Sequence, residues 1–287
     1  MPVLGRESGV TSTTIRTPLH WQPVNVYVDL FRYNDLLLNL FRRELRVKYR
    51  GSMLGLAWTL INPLVLMAVY TIVFSVLWKA VSVKYYPLFV LNGLLTWMFF
   101  QGTLQMSCTS LLGQANLVKQ VRFPRQLLPF SVVATNAVTM LVMLGVILPL
   151  NLIFVPATRT TFWAALPLLI PLAGLVTAFA IILASVTVMF RDVEHLISTV
   201  LLPWFILTPI FYKFDQLPGI EFHPTIAHVL YWGNVVTPFV DAIRDPLFFG
   251  ELPRLSNVVY AFGVALGALV LAAAVFRRID DQLAAQL

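Results

Sequence analysis

Residues 56–78 read LAWTLINPLVLMAVYTIVFSVLW, a run of 23 residues without a charged side chain. A helix rises about 1.5 Å per residue, so about 20 apolar residues cross the hydrocarbon core of a bilayer. The run is long enough to do so, and charge flanks it, with Lys48 and Arg50 before and Lys79 after. Four more uncharged runs have the same character: 85–118, 127–158, 163–190 and 255–276. A sixth, 196–212, holds 17 residues and is interrupted by Pro203 and Pro209. Proline removes a backbone donor and bends or breaks a helix. This segment is therefore expected to cross from about Leu196 to Phe211. One or two short re-entrant helices are expected after it, within the apolar stretch 222–240 that His223, Pro224, His228, Asn234 and Pro238 interrupt. Broken backbone is tolerated at membrane depth only where protein buries it or a polar cavity solvates it.

Composition supports an integral membrane protein. Hydrophobic residues make up 59% and charged residues 11%, with a mean hydropathy of +0.81. Soluble domains carry about 25% charge, and disordered chains are far less apolar. The single cysteine, Cys108, excludes an internal disulfide or a cysteine metal cluster, and the four histidines lack ligand spacing. There is no P-loop signature, H-E-x-x-H, G-x-S-x-G or calcium loop, so no catalytic residue or metal site is expected. No Asp or Glu lies inside a proposed span, which argues against an ion-coupled carrier.

The net charge of +7 reads as topology rather than as a nucleic-acid surface. With the N-terminus in the cytoplasm, the inner segments hold 14 of the 20 Lys and Arg residues. Lys and Arg favour the cytoplasmic side, so both termini are expected there. The first twenty residues lack the apolar core of a secretory signal. Trp78, Tyr85, Tyr86, Tyr212, Tyr231 and Trp232 flank the proposed spans, where amphipathic rings favour the headgroup level.

Residues 29–50, DLFRYNDLLLNLFRRELRVKYR, predict a helix with Leu38, Phe41 and Leu45 on one face and Arg42, Arg46 and Arg50 on another. Glu44 can support Lys48 at i,i+4. Such a helix suits the cytoplasmic membrane interface and its anionic headgroups, or packing on a partner. A small-residue turn, Gly51 to Gly55, leads into the first span, in which Pro63 is expected to kink the helix or mark a junction. The loop 113–126, GQANLVKQVRFPRQ, predicts a short helix capped by Asn116 and ended before Pro124. It reads either as a docking surface for a soluble subunit or as a positive anchor. The cluster Arg191-Asp192-Val193-Glu194-His195 reads as a turn in which Asp192 caps the next helix.

Three ordered signals carry a resemblance. The first is 40–64, LFRRELRVKYRGSMLGLAWTLINPL, a basic helix running into a span with a late Asn62-Pro63. The second is Phe190-Arg191-Asp192-Val193, followed by Leu202-Pro203-Trp204 and Thr208-Pro209-Ile210-Phe211-Tyr212. The third is Asn234-Val235-Val236-Thr237-Pro238-Phe239, with Arg244 behind it. From about Phe31 to Phe276 the chain resembles the permease subunit of type-2 ABC transporters, in particular the polysaccharide, O-antigen and teichoic-acid exporters.

The resemblance implies an all-α polytopic fold of six transmembrane helices. It adds an N-terminal interfacial amphipathic helix, a cytoplasmic coupling helix, and outer re-entrant helices before the last span. It divides the chain into a tail (1–28), the interfacial gate helix (29–52), the transmembrane domain (53–276) and a second tail (277–287). It implies a homodimer joined to two ABC ATPase subunits, with ATP and Mg bound by those partners and no cofactor held here. Arg42, Arg43, Arg46, Lys48 and Arg50 would meet the headgroup of a lipid-linked polysaccharide. Asn116, Leu117, Lys119, Arg122, Phe123 and Arg125 would dock the ATPase. Asn62, Pro63, Arg191, Asp192, Pro209, Asn234, Pro238 and Arg244 would be structural, and Trp97, Phe99 and Phe100 are candidate channel aromatics. The location implied is a bacterial inner membrane. An exporter of drugs or other lipids, an enzyme acting on polyprenyl lipids, and an accessory scaffold are the alternative readings.

Overall fold

The structure, a computed structural model, describes residues 27, 32–52, 54–77, 83–114, 123–213 and 224–286. Every regular element among them is helical. Apart from short 3-10 and π turns, these are in order α1 (Asn34–Tyr49), α2 (Gly55–Leu77), α3 (Tyr86–Ser110), α4 (Leu127–Phe154), α5 (Ala165–Met189), α6 (Val193–Leu207), α7 (Pro224–Gly233), α8 (Thr237–Arg244) and α9 (Leu255–Gln286).

Five helices are long and apolar enough to cross a membrane, rather than the six expected from the runs. The sixth run forms α6, which has 15 residues, fewer than the roughly 20 that a crossing needs. It passes through Pro203 and stops where Thr208 turns to extended backbone (ψ 130°) ahead of Pro209. A residue before proline is pushed out of helical geometry, so the stop is local chemistry. In α2 the helix continues through Pro63, so no junction falls there, and it widens to a π-helix over Thr71–Leu77. Gly51 and Gly55 adopt positive φ (75° and 48°) in the turn before α2, where the Ser52 hydroxyl accepts a bond from the Gly55 amide at 3.0 Å.

The centre of the molecule is α3. Its most apolar window is 78% buried inside the chain, against 6% for α2 and 17% for the last span. Helices α2, α4, α5, α6 and α8 all pack on α3. Most polar side chains buried on α3 are hydrogen-bonded, as expected where water is absent, although the Thr96 and Ser107 hydroxyls lack a partner among the described residues. Asn92 of α3 and Asn151 of α4, both fully buried, exchange amide hydrogen bonds at 3.3 and 3.0 Å. The sparsely packed α2 is held by rings. Tyr70 stacks on Phe211 with centroids 4.9 Å apart, and Phe74 lies 4.9 Å from the same ring.

Gly93 lets α3 meet the bend after α6. A Cβ there would lie 2.9 Å from the Ile210 carbonyl oxygen. That neighbour is backbone and cannot swing away, so Gly93→Ala is expected to cost about 1–2 kcal/mol by overpacking. A lowered detergent-stable melting temperature would show it; an unchanged one would mean the bend moves freely.

Helix α1 departs from the predicted face. Its buried residue is Leu40, and Leu36 and Leu37 pack beside it on a second core cluster with Leu111, Phe123, Leu127 and Phe276. Leu38 is 40% exposed. The inward face is thus Leu36, Leu40, Glu44 and Lys48, one turn apart, directed at α4 and the end of α3. The Glu44–Lys48 pair is replaced by other partners. Glu44 accepts from the Gln114 amide, whose oxygen accepts from Arg43 Nη1 at 2.9 Å.

Candidate substrate cleft

Two adjoining cavities, of about 420 and 480 Å3, run along the face of α3 and share Asn62, Met98 and Gly102. Together they form one cleft walled by α2, α3 and α6, with α4 and the end of α1 at one mouth. The walls follow helical spacing. Asn62, Leu66 and Tyr70 stand one turn apart on α2, and Trp97, Gln101 and Gln105 do so on α3. Trp97 Nε1 donates to Gln101 Oε1 at 2.6 Å. Asn62 and Gln105 make no side-chain hydrogen bond among the described residues. At the mouth, Lys48 donates to Asn136 Oδ1 and Thr139 Oγ1, both at 3.0 Å. Burial lowers the Lys48 pKa below its ordinary value.

The far end of the cleft abuts the bend between α6 and α8. Here the residues Thr208, Pro209, Asn234 and Arg244 converge. The Asn234 carbonyl oxygen accepts from Trp204 Nε1 at 2.9 Å and from the Val236 amide at 3.1 Å, and its NH2 donates to Thr208 Oγ1 at 2.9 Å. Arg244, only 3% exposed, donates to the Pro209 carbonyl at 2.7 Å and to Asp241 at 2.5 Å. Its guanidinium lies 4.2 Å from the Phe89 ring centroid. Arg244 thus satisfies the Pro209 carbonyl at the break, and Asn234 ties the loop before α8 to the side chains of Trp204 and Thr208 at the end of α6. Pro238 is buried in the first turn of α8, where its missing N–H costs nothing.

Asp245 begins the turn after Arg244, and its carboxyl is pushed up to about 7, first by burial and then by Asp241, with Arg244 and Arg254 opposing. The folded state therefore holds this proton more tightly than the unfolded chain, whose value is near 3.8. Its contribution favours folding at low pH, falls as pH rises from about 4 to about 7, and is absent above that. Melting temperatures at about pH 5 and about pH 8 should show this slope, and Asp245→Asn should flatten it; an unaltered slope in the variant would assign it to another group.

The remaining sequence-predicted residues fall as follows. Arg42, Arg43, Arg46 and Arg50 are exposed on α1, and Lys48 alone of the five turns inward. Asn116, Leu117, Lys119 and Arg122 lie outside the described residues. Phe123 is buried in the second cluster and Arg125 is half-buried at the start of α4. Arg191 and Asp192 are exposed at the α5–α6 turn, and Asp192 holds the N-cap position of α6 without a side-chain capping bond. Pro63 is buried in α2. Trp97 borders the cleft but, at 1% exposed, is buried in the core like Phe99 and Phe100, the last edge-on to Phe179 and Trp204. The rings that the cleft gains beyond Trp97 are Trp58, Tyr70 and Phe205. Among the described residues no group of three or more His, Cys, Asp or Glu side chains could hold a metal.

Fold and cleft define a multi-pass helical membrane protein with a cleft of mixed polar and apolar lining between its helices. Residues 35–248 match the ABC-2 type transporter family, and the chain belongs to it. It is the membrane permease of such a system and not its ATPase. The chain is 36% identical over 191 residues to the O-antigen export system permease protein RfbA of Myxococcus xanthus, covering 66% of this chain and 72% of that protein. Two proteins of the same description from Klebsiella pneumoniae are 28% and 27% identical. Those matches cover 70% and 81% of this chain, and 80% and 90% of the relatives.

Proposed function

We propose that two copies of this chain form the membrane pathway of an ATP-driven exporter of lipid-linked polysaccharide in a bacterial inner membrane. The observation that carries this reading is the similarity to O-antigen export permeases over 66–81% of the chain. The cleft adds chemical support, because it offers amides and aromatic rings to a hydroxyl-rich cargo. Each copy docks one ATPase subunit through residues 116–125, and ATP and Mg belong to that subunit. Both termini face the cytoplasm. Helix α1 lies at the cytoplasmic interface, where the exposed Arg42, Arg43, Arg46 and Arg50 meet the phosphates of the lipid anchor. Helices α7 and α8 form the outer re-entrant region, and α6 completes the sixth crossing by way of the bend at Thr208–Pro209.

In this reading ATP-driven closure of the two ATPase subunits moves the docking segments, and the passage opens beside α1. Deleting the chain's gene in its host should leave the lipid-linked polymer on the cytoplasmic face and empty the cell surface of it. Undiminished surface polymer would sink the reading.

A further inference from the structure

We propose that the cleft is built for an uncharged glycan and discriminates against chains carrying carboxylates or phosphates along their length. The inference rests on the export reading above and concerns which polymers that pathway accepts. The cavity between α2, α3 and α6 is lined by twelve residues, none of them Asp, Glu, Lys or Arg. Its polar lining is made of neutral side chains, chiefly Asn62, Gln101, Gln105 and Ser198.

Each amide offers two donors and an acceptor, which matches a sugar hydroxyl that both gives and takes a hydrogen bond. Asn62 and Gln105 have this capacity unspent among the described residues. Gln101 is oriented by Trp97, whose indole N–H occupies the amide oxygen and leaves the NH2 available. Tyr70 adds ring surface beside the amides, whereas Trp97 is buried and acts through its indole N–H. Open amides at membrane depth are costly unless water or a hydroxylated ligand satisfies them. An anionic repeat unit in the same place finds no cation, and a charge in a low-dielectric passage is costly without a partner. Among the described residues that line the cleft the one cation is Lys48, at its mouth, with its ammonium held by Asn136 and Thr139.

The test uses the permease–ATPase complex in proteoliposomes with two synthetic polyprenyl-diphosphate oligosaccharides of equal length, one of neutral hexose and one of hexuronate. The neutral probe should cross with ATP at least about tenfold faster. Equal rates would overturn the inference while leaving the export reading standing, since the lipid anchor is common to both probes. Failure of both probes to cross in a complex that hydrolyses ATP would remove the export reading, and the inference with it. Gln105→Lys in the same complex should move the ratio of rates toward the hexuronate probe by about fivefold or more. That ratio is internal to one preparation, so a loss of folded protein cannot mimic the change. An unchanged ratio would overturn the inference.

Discussion

Replacing Arg244 with alanine is expected to remove about 3–5 kcal/mol of stability, the usual cost of breaking a buried ion pair from one side. The side chain is 3% exposed, and Asp241, its partner, is 19% exposed. Truncation leaves that carboxylate without its cation and the Pro209 carbonyl without its donor at 2.7 Å. It also vacates the space over Phe89, where a guanidinium now lies 4.2 Å from the ring centroid. Lysine is not a substitute, because one ammonium cannot reach two acceptors through a planar fork while covering a ring. Arg244→Lys should therefore recover only part of the loss. Thermal unfolding of the detergent-solubilised chain reads both variants, and a wild-type melting temperature in Arg244→Ala would show that α8 does not hold the bend.

The second large effect falls on Asn234. Alanine there strips three hydrogen bonds, from the Trp204 indole, from the Val236 amide and to the Thr208 hydroxyl. At about 1 kcal/mol for each bond, the expected loss is about 3 kcal/mol. Asn234→Asp separates the roles: the carboxylate keeps the two accepted bonds, but Asn234's donor to Thr208 is gone. It should lie between wild type and alanine. Because Arg244 and Asn234 brace the same residues, 208 and 209, the double variant should lose less than the sum of the two single losses. A fully additive pair would mean that the two contacts stabilise separate parts of the molecule.

Much of the fold was legible because crossing a membrane leaves a coarse signature. Five long uncharged runs became five long helices. The sixth run was ambiguous for a physical reason. Its apolar length stretches to Tyr212, but the helix ends at Leu207, where Thr208 meets Pro209. The bracing of that bend was legible only as residue types. Pro209, Asn234 and Arg244 stand out in the sequence, but their convergence depends on how α8 folds back toward α6.

Helix α1 misled because two stripes compete in it. Leu38, Phe41 and Leu45 are the plainer apolar set, yet packing on α4 selects Leu36 and Leu40, with Glu44 and Lys48 completing the face through hydrogen bonds. Charged residues within a buried stripe hide it from a hydropathy reading. The cleft left a fainter trace. Gln101 and Gln105, one turn apart in an uncharged and largely apolar run and following Trp97 by four and eight positions, are its sequence signal. Phe99 and Phe100 share that run but point into the core, because adjacent helical positions face different ways.

The central claim is that this permease works only with a separate ATPase. It is tested most directly by affinity purification of the full-length chain from its own membrane, with subunits identified by mass and ATPase activity assayed in the eluate. The account predicts a co-purifying nucleotide-hydrolysing subunit in equal number with the permease, two of each, and its loss when residues 116–125 are replaced by a neutral linker of equal length. A folded chain that purifies from the membrane with no such subunit and no ATPase activity would contradict it.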